Sequence, residues 1–236
     1  FDSSVRLQGG EAAVLEGDEY RSSRLDTSSK FSHYRAKTAI ITSIEMDHPD
    51  LFDDLSAVQE RFDGLVENLP EDGLLVYFEN ELIAEVASKS KAQAVSYGTQ
   101  NAHWQAVNTE FNEHGIAFDL QHDGEAIGSI SVPLYGAHNV ANATAALAVC
   151  LSQGIEWADL QAGARSFLGA SRRFERVSQP DDAITVIDDY AHHPTEVAAT
   201  LAAAKQHFDG NIRAVFQPHT YSRTQSLLKE YQACFA

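Results

Sequence analysis

The sequence predicts an α/β protein with a mostly parallel sheet, an antiparallel excursion at one edge, and a second α/β portion that starts near residue 169. Three observations predict it. Strand-length apolar runs alternate with helix-length amphipathic segments. Several of those runs end in acids, histidines or asparagines, at the end of the strands where open parallel sheets present ligands. A basic stretch, residues 169–176, breaks the pattern and marks a domain boundary near residue 168. A chain of 236 residues is long enough for one large domain or two smaller ones.

Residues 1–10 read as a loop or edge hairpin, and residues 12–15 as a short buried strand. That strand runs into Glu16-Gly17-Asp18-Glu19-Tyr20. Its three acids either hold a hard cation such as Mg²⁺, which carboxylate oxygens suit, or form a solvated acidic turn. The next strand, within 38–44, runs into Glu45-Met46-Asp47-His48-Pro49-Asp50. If the two strands were neighbours, Glu16 and His48 would meet. Asp54 is placed to cap a helix over 55–69, where Leu55, Val58, Phe62, Leu65, Val66 and Leu69 share one face. Pro70 and Gly73 stop it, and a strand follows over 74–78. A short helix and a strand over 93–97 fill the next segment. Strands over 116–121 and 126–134 flank Asp123-Gly124, a strong hairpin signal, and form the antiparallel excursion.

Gly136-Ala137-His138-Asn139 opens an apolar helix. Asn139 either caps it or, with Asn142 one turn further on, offers amides that both donate and accept, as the edge of a purine requires. A second helix covers 157–167. Arg172, Arg173 and Arg176 then concentrate positive charge in an acidic chain, which suits phosphate or carboxylate binding or a surface ion-pair cluster. A buried strand over 184–187 leads into Asp188-Asp189-Tyr190-Ala191-His192-His193, and Pro194 sits in the first turn of a helix over 195–208. A paired Asp-Asp and a paired His-His around one tight turn is more chemistry than a loop needs, although a polar loop facing water would also contain such residues. A further strand over 212–216 ends in Gln217-Pro218-His219-Thr220-Tyr221-Ser222-Arg223-Thr224 before a final helix. Polar strand ends in both portions predict a cleft between two α/β domains, with His219 and Arg223 beside His193.

Composition excludes several classes. The formal net charge of −17 argues against binding nucleic acid through phosphate neutralisation, and an anionic substrate would need local bases. No apolar run reaches membrane-spanning length. The only cysteines, Cys150 and Cys234, imply a reducing compartment and no disulfide framework. There is no GxxxxGK[ST] phosphate loop, HExxH zinc motif or CxxC pair. Phe1 is not an initiator methionine and the last helix stops without a cap, so the chain is expected to be a fragment.

Six stretches taken in order resemble the Mur ligases, which add amino acids to the bacterial cell-wall precursor. They are Glu16-Gly17-Asp18-Glu19, Asp47-His48-Pro49-Asp50, His138-Asn139-Val140-Ala141-Asn142, Arg172-Arg173-Phe174, residues 188–196, and residues 217–224. The resemblance implies a partial central ATP-binding domain over 1–168 and the start of a Rossmann-like domain over 169–236. The UDP-binding domain, the glycine-rich ATP loop and the C-terminal tail would lie outside this sequence, which on its own is expected to be inactive. By resemblance, Glu16 and His48 are metal-binding positions for Mg²⁺. Asn139 and Asn142 read the adenine of ATP, Arg173 reaches its phosphates, and Asp189 contacts the nucleotide. His193 and Arg223, with Arg173, are the residues expected at the reaction centre, near the incoming amino acid and the substrate carboxylate. Some relatives carry an arginine where this chain has Thr220. The lysine that other relatives carry beyond the Asp-His motif is absent from residues 49–54, as in the alanine-adding branch. That branch implies UDP-N-acetylmuramate and L-alanine as substrates. The branch that attaches a ready-made tripeptide is the alternative, and a non-catalytic nucleotide-binding protein on the same scaffold is the rival from another class. The expected protein is a cytoplasmic monomer or weak homodimer, with no nucleic-acid or membrane partner.

Overall fold

The computed structural model describes residue 10, residues 12–179 and residues 181–235. The hairpin or loop expected over 1–10 lies outside them, Gly10 excepted. After a 3₁₀ turn at Lys30–His33 come β1 (Thr38–Ile41), α1 (Leu55–Glu67), β2 (Leu74–Phe78), α2 (Glu81–Ala87) and β3 (Gln93–Gly98). Then follow β4 (Trp104–Asn112), β5 (Gly115–His122), β6 (Glu125–Val132), α3 (Ala137–Ser152) and α4 (Trp157–Ser166). These six strands form one sheet in sequential order. β1 to β4 run parallel, and β5 and β6 add antiparallel at the far edge.

The sheet separates two apolar cores because successive side chains of a strand face opposite sides. Leu75 of β2 points into a core with Ile41, Phe52, Val58, Val66, Ile83 and Val86, closed by α1 and α2. Val76, its neighbour, points into the other core with Tyr97, Phe118, Leu120, Val140 and Leu147, closed by α3 and α4. Asp54 caps α1 as its sequence predicts, its carboxylate accepting the Ala57 N–H at 2.9 Å. Asp123 and Gly124 take φ of +50° and +82°, which fits the two positive-φ positions of the predicted tight hairpin turn. β4 was not predicted. Its outer half, including Glu110 and Phe111, alternates weakly because it is exposed on the edge hairpin.

The C-terminal portion holds β7 (Glu175–Arg176), β8 (Ile187–Asp188), α5 (Pro194–His207), α6 (Tyr221–Ser226) and α7 (Leu228–Cys234). β7 and β8 pair antiparallel in a two-stranded ladder. Three expected strands, two of them expected to be buried, do not form over their predicted lengths. Residues 12–15 are exposed and irregular, with Val14 99 % accessible. Of the 184–187 run only Ile187 is strand, in β8, and Ile184 and Val186 are exposed. Residues 212–216 are irregular, with Val215 fully accessible. The physical reason is common to all three. An apolar run becomes a buried strand only beside a hydrogen-bonding neighbour, and among the described residues these runs have at most a two-residue partner. The expected single final helix is likewise two short ones, broken at Leu227.

Candidate active site

The parallel strands and the N-termini of α3 and α5 open onto one cleft of about 1110 Å³. Glu19, Asp47, Asn139, Asn142, Arg173, Asp189 and His193 all line it, so residues far apart in the chain converge on one space.

One corner is acidic. His48 Nε2 lies 3.6 Å from Glu19 Oε1 and 3.6 Å from Asp47 Oδ2. One ligand atom from each of Glu19, Asp47 and His48 falls within 4.8 Å of the others. Burial and the neighbouring Asp18 and Asp47 hold the Glu19 carboxyl above its ordinary value, although His48 opposes them. Burial also pushes Asp47 up, but hydrogen bonds from Arg223 and from the His48 N–H outweigh it, and Asp47 ends below its ordinary value. His48 takes φ of +53°, a strained backbone for a histidine, and its ring packs tilted against Tyr20, with ring centres 4.4 Å apart. Two carboxylates suit Mg²⁺, and the imidazole reaches such an ion more readily through water. The expected meeting of Glu16 with His48 does not occur. Without the 12–15 strand, Glu16 stays exposed and Glu19 takes the place beside His48.

A second corner is the start of α3. Asn139 is not its cap. Gly136 is, and Asn139 lies inside the first turn. Asn139 Nδ2 donates to the Tyr135 carbonyl at 2.8 Å and to His138 Nε2 at 3.1 Å, while Asn142 Nδ2 donates to Asn139 Oδ1 at 3.3 Å. Crowding by the protein and the Arg173 charge keep His138 below its ordinary imidazole value, although Asp189 opposes them. A neutral His138 can accept from Asn139, and the exposed Asn142 amide is left with donor and acceptor capacity toward the cleft.

The third corner is the strand-to-helix crossing. Asp189 ties two loops together: its Oδ2 accepts the Phe174 N–H and its Oδ1 the Ala191 N–H, each at 2.7 Å. Arg172 lies 4.8 Å from the Tyr190 ring centre and Arg173 5.9 Å, and Arg173 reaches Glu196 at 3.7 Å. His193 caps α5 in a capping box with Glu196. Its Nδ1 accepts the Thr195 N–H at 3.3 Å, which assigns the proton to Nε2, 3.2 Å from the Met46 carbonyl. Both ring nitrogens are therefore engaged in structure. Thr195 Oγ1 donates to Glu45 at 2.6 Å, a second tie between the two portions.

Arg223 is 3 % exposed. Its guanidinium grips Asp47 in bidentate fashion, Nε to Oδ1 at 2.6 Å and NH2 to Oδ2 at 3.0 Å. NH1 turns to the His219 carbonyl and ring. Thr220, with φ of +65°, caps α6 by accepting the Arg223 N–H. Arg223 and His219 do meet, but the histidine of the crossing beside them is His192, whose ring lies 5.7 Å from that of His219, while the expected neighbour His193 turns its ring to Thr195 and Met46. Sequence reasoning does not single out Asp47 or Glu196 as site residues, and it reaches Glu19 only as one of three acids at a strand end. Asp47 lies in the acidic strand end over 45–50, and Glu196, three residues after His193, has the spacing of a capping box.

Comparison with known proteins defines the class. Residues 3–150 match the Mur ligase middle domain, and residues 172–236 match the Mur ligase, glutamate ligase domain. The chain belongs to the Mur ligase family. Among curated relatives it is 36 % identical over 237 residues to the UDP-N-acetylmuramate–L-alanine ligase of Clostridium botulinum, covering all of this chain and 50 % of that protein. It is 39 % identical to the enzyme of the same name from Clostridium perfringens, covering 98 % of this chain and 50 % of that one. Among solved structures, the UDP-N-acetylmuramate-alanine ligase of Thermotoga maritima aligns with a TM-score of 0.68 at 28 % identity, over 83 % of this chain and 44 % of that one. A UDP-N-acetylmuramate:L-alanyl-gamma-D-glutamyl-meso-diaminopimelate ligase from Neisseria meningitides aligns at 0.59 and 34 % identity, over 66 % and 48 %. The chain spans about half the length of the curated relatives it matches.

Proposed function

We propose that the protein carrying this chain is an ATP-dependent carboxylate–amine ligase that joins L-alanine to UDP-N-acetylmuramate in the cytoplasm. The observation that carries the reading is the convergence, in one cleft, of an acidic cation corner, an amide-lined helix start and an arginine-bearing crossing. The identity to relatives named as L-alanine ligases supports the choice of amine. Bound ATP would supply the phosphoryl group that turns a poor electrophile, the carboxylate, into an acyl phosphate, leaving ADP, with Mg²⁺ offsetting charge on the phosphoryl oxygens; attack by the amine would then expel inorganic phosphate.

The roles of this chain's residues follow from their places. Glu19, Asp47 and His48 are the corner that would hold the cation, and Glu16, three residues before Glu19, is exposed. Asn142, backed by Asn139, offers the amide edge to the adenine. Arg173, half exposed beside Glu196, is free to swing to anionic oxygens, where fixed positive charge is most effective in a partly dry site. Asp189 holds the arginine loop against the crossing. His193 acts by positioning, since its nitrogens link α5 to Met46 across the cleft, and Arg223 is the guanidinium for an acceptor carboxylate. A boundary between the two ligase domains near residue 168 is part of the proposal, and the 151–171 gap between the two family matches supports it.

A second acceptor, a tripeptide, is favoured by the likeness to the Neisseria ligase. The test is phosphate release by the intact protein with ATP, UDP-N-acetylmuramate and each amine, alone and in competition. Release only when sugar nucleotide and L-alanine are both present is expected. Preferential tripeptide product would reject L-alanine, and release without any amine would reject the ligase reading.

A further inference from the structure

The Asp47–Arg223 pair joins residues 176 positions apart and is the most buried cationic contact between the two portions among the described residues. Each of the three guanidinium nitrogens is engaged, two on Asp47 and one on His219. In this state Arg223 has no nitrogen turned toward a ligand. Asp47 is also one of the three residues whose ligand atoms cluster tightly enough for a cation. Its Oδ1 already accepts both the His48 N–H at 2.6 Å and Arg223 Nε, and its Oδ2 faces Arg223 NH2 and His48 Nε2. The carboxylate that Arg223 grips is therefore also a candidate cation ligand.

We propose that Asp47 is a shared ligand for which Arg223 and a divalent cation compete, so that cation binding releases Arg223 from a parked position. The inference rests on the proposed cation corner, but it concerns a coupling within this chain rather than the reaction. A divalent ion drawing on Asp47 would face the guanidinium across a single carboxylate, and like charges at that separation repel strongly where water is scarce. Withdrawing Asp47 strips Arg223 of its neutralising partner while it is buried, and a buried guanidinium then seeks another carboxylate. The acceptor's carboxylate is the ligand of matching geometry. Binding order follows: the cation first, the acceptor carboxylate second, with Arg223 unable to hold an acceptor while the cation corner is empty. Linkage makes the effect reciprocal, so removing Arg223 must strengthen cation binding.

The experiment uses Mn²⁺ alone as the probe, counted by electron paramagnetic resonance in the intact protein without nucleotide. Arg223→Gln should bind Mn²⁺ at least about five-fold more tightly than the wild type, the lower end of ordinary site-to-site coupling. Arg223→Lys, which keeps the charge but loses the fork, should fall between them. In an Asp47→Asn background the Arg223 substitution should change nothing. Equal affinities in wild type and Arg223→Gln would overturn the proposal, as would a gain that persists without the Asp47 carboxylate, or no Mn²⁺ binding in any form. A measurement on the wild type avoids any folding defect of the variants. Mn²⁺ should speed amide hydrogen exchange across residues 219–227, and unchanged exchange on cation binding would equally overturn it. None of these readouts involves turnover, so their failure is separable from failure of the ligase reading.

Discussion

Glu196→Ala removes the acceptor that two backbone donors of the crossing share. Glu196 Oε2 takes the His192 N–H at 3.0 Å and the His193 N–H at 3.2 Å, closing the capping box of α5. Hydrogen bonds to a charged acceptor contribute roughly 1.5–3 kcal/mol when water is excluded, and loss of a helix cap costs about 0.5–2 kcal/mol. The Glu196 side chain is 38 % exposed, so water replaces part of what is lost. The net cost expected is about 1–2 kcal/mol, which corresponds to roughly five- to thirty-fold in the local opening equilibrium. Hydrogen exchange at residues 192–197 reads it directly and should accelerate by that factor. Glu196→Gln, which keeps one acceptor oxygen without the charge, should lose about half as much free energy. Asp54→Ala, which uncaps α1 on the opposite core, serves as the control and should leave the crossing unchanged. Undiminished protection at 192–197 in Glu196→Ala would refute the capping box as the device that fixes His193.

Three further outcomes are expected. Leu75→Ala should cost about 2–5 kcal/mol in a denaturant titration, because Leu75 is fully buried between β2 and the α1–α2 layer; a cost under about 1 kcal/mol would mean the site collapses around the gap. Asp47 and Glu196 both sit below their ordinary values of 3.8 and 4.5, so the folded state binds fewer protons than the unfolded chain in that window. Their contribution is present above those values and is lost as pH falls through the lowered ones, so urea midpoints should drop on acidification, less steeply in Asp47→Asn, and parallel slopes would discount the Arg223 contact. Asn142→Ala should weaken ADP binding by about ten-fold, the worth of roughly one well-made hydrogen bond in a partly dry site, without changing the K of L-alanine; an equal loss in both would place Asn142 outside the adenine pocket.

The fold was legible where local pattern and tertiary context agree. α1 shows its cap and its apolar face in the sequence, and β2 and the Asp123-Gly124 turn follow from apolar length and from two positive-φ positions. It was illegible where a strand depends on a neighbour. The 12–15, 184–187 and 212–216 runs carry the same apolar signal as β2, but β2 is flanked by β1 and β3 while they have at most two paired residues. Hydrophobic runs record a preference for burial. They do not record whether anything stands beside them to complete the backbone hydrogen bonds.

The site shows the same division at the level of single lone pairs. Residue types and strand ends pointed to His48, Asn139, Asn142, Arg173, Asp189, His193 and Arg223, and the structure brings these together around one cleft or its rim. What each side chain does is decided by its partners, which lie far away in sequence. His193 reads as a reactive imidazole, yet Thr195 on one side and Met46 on the other occupy both of its nitrogens. Arg223 reads as a carboxylate clamp and is one, but the carboxylate in its grip belongs to Asp47, 176 residues upstream. Glu19 displaces Glu16 beside His48 because the strand that would have aimed Glu16 has no neighbour to pair with. A motif therefore fixes the chemistry available at a position, while the state of that chemistry depends on which donor or acceptor arrives first from elsewhere in the fold. For Arg223 the proposed competition makes the guanidinium's function conditional: on that proposal it would serve an incoming ligand only once Asp47 holds another cation.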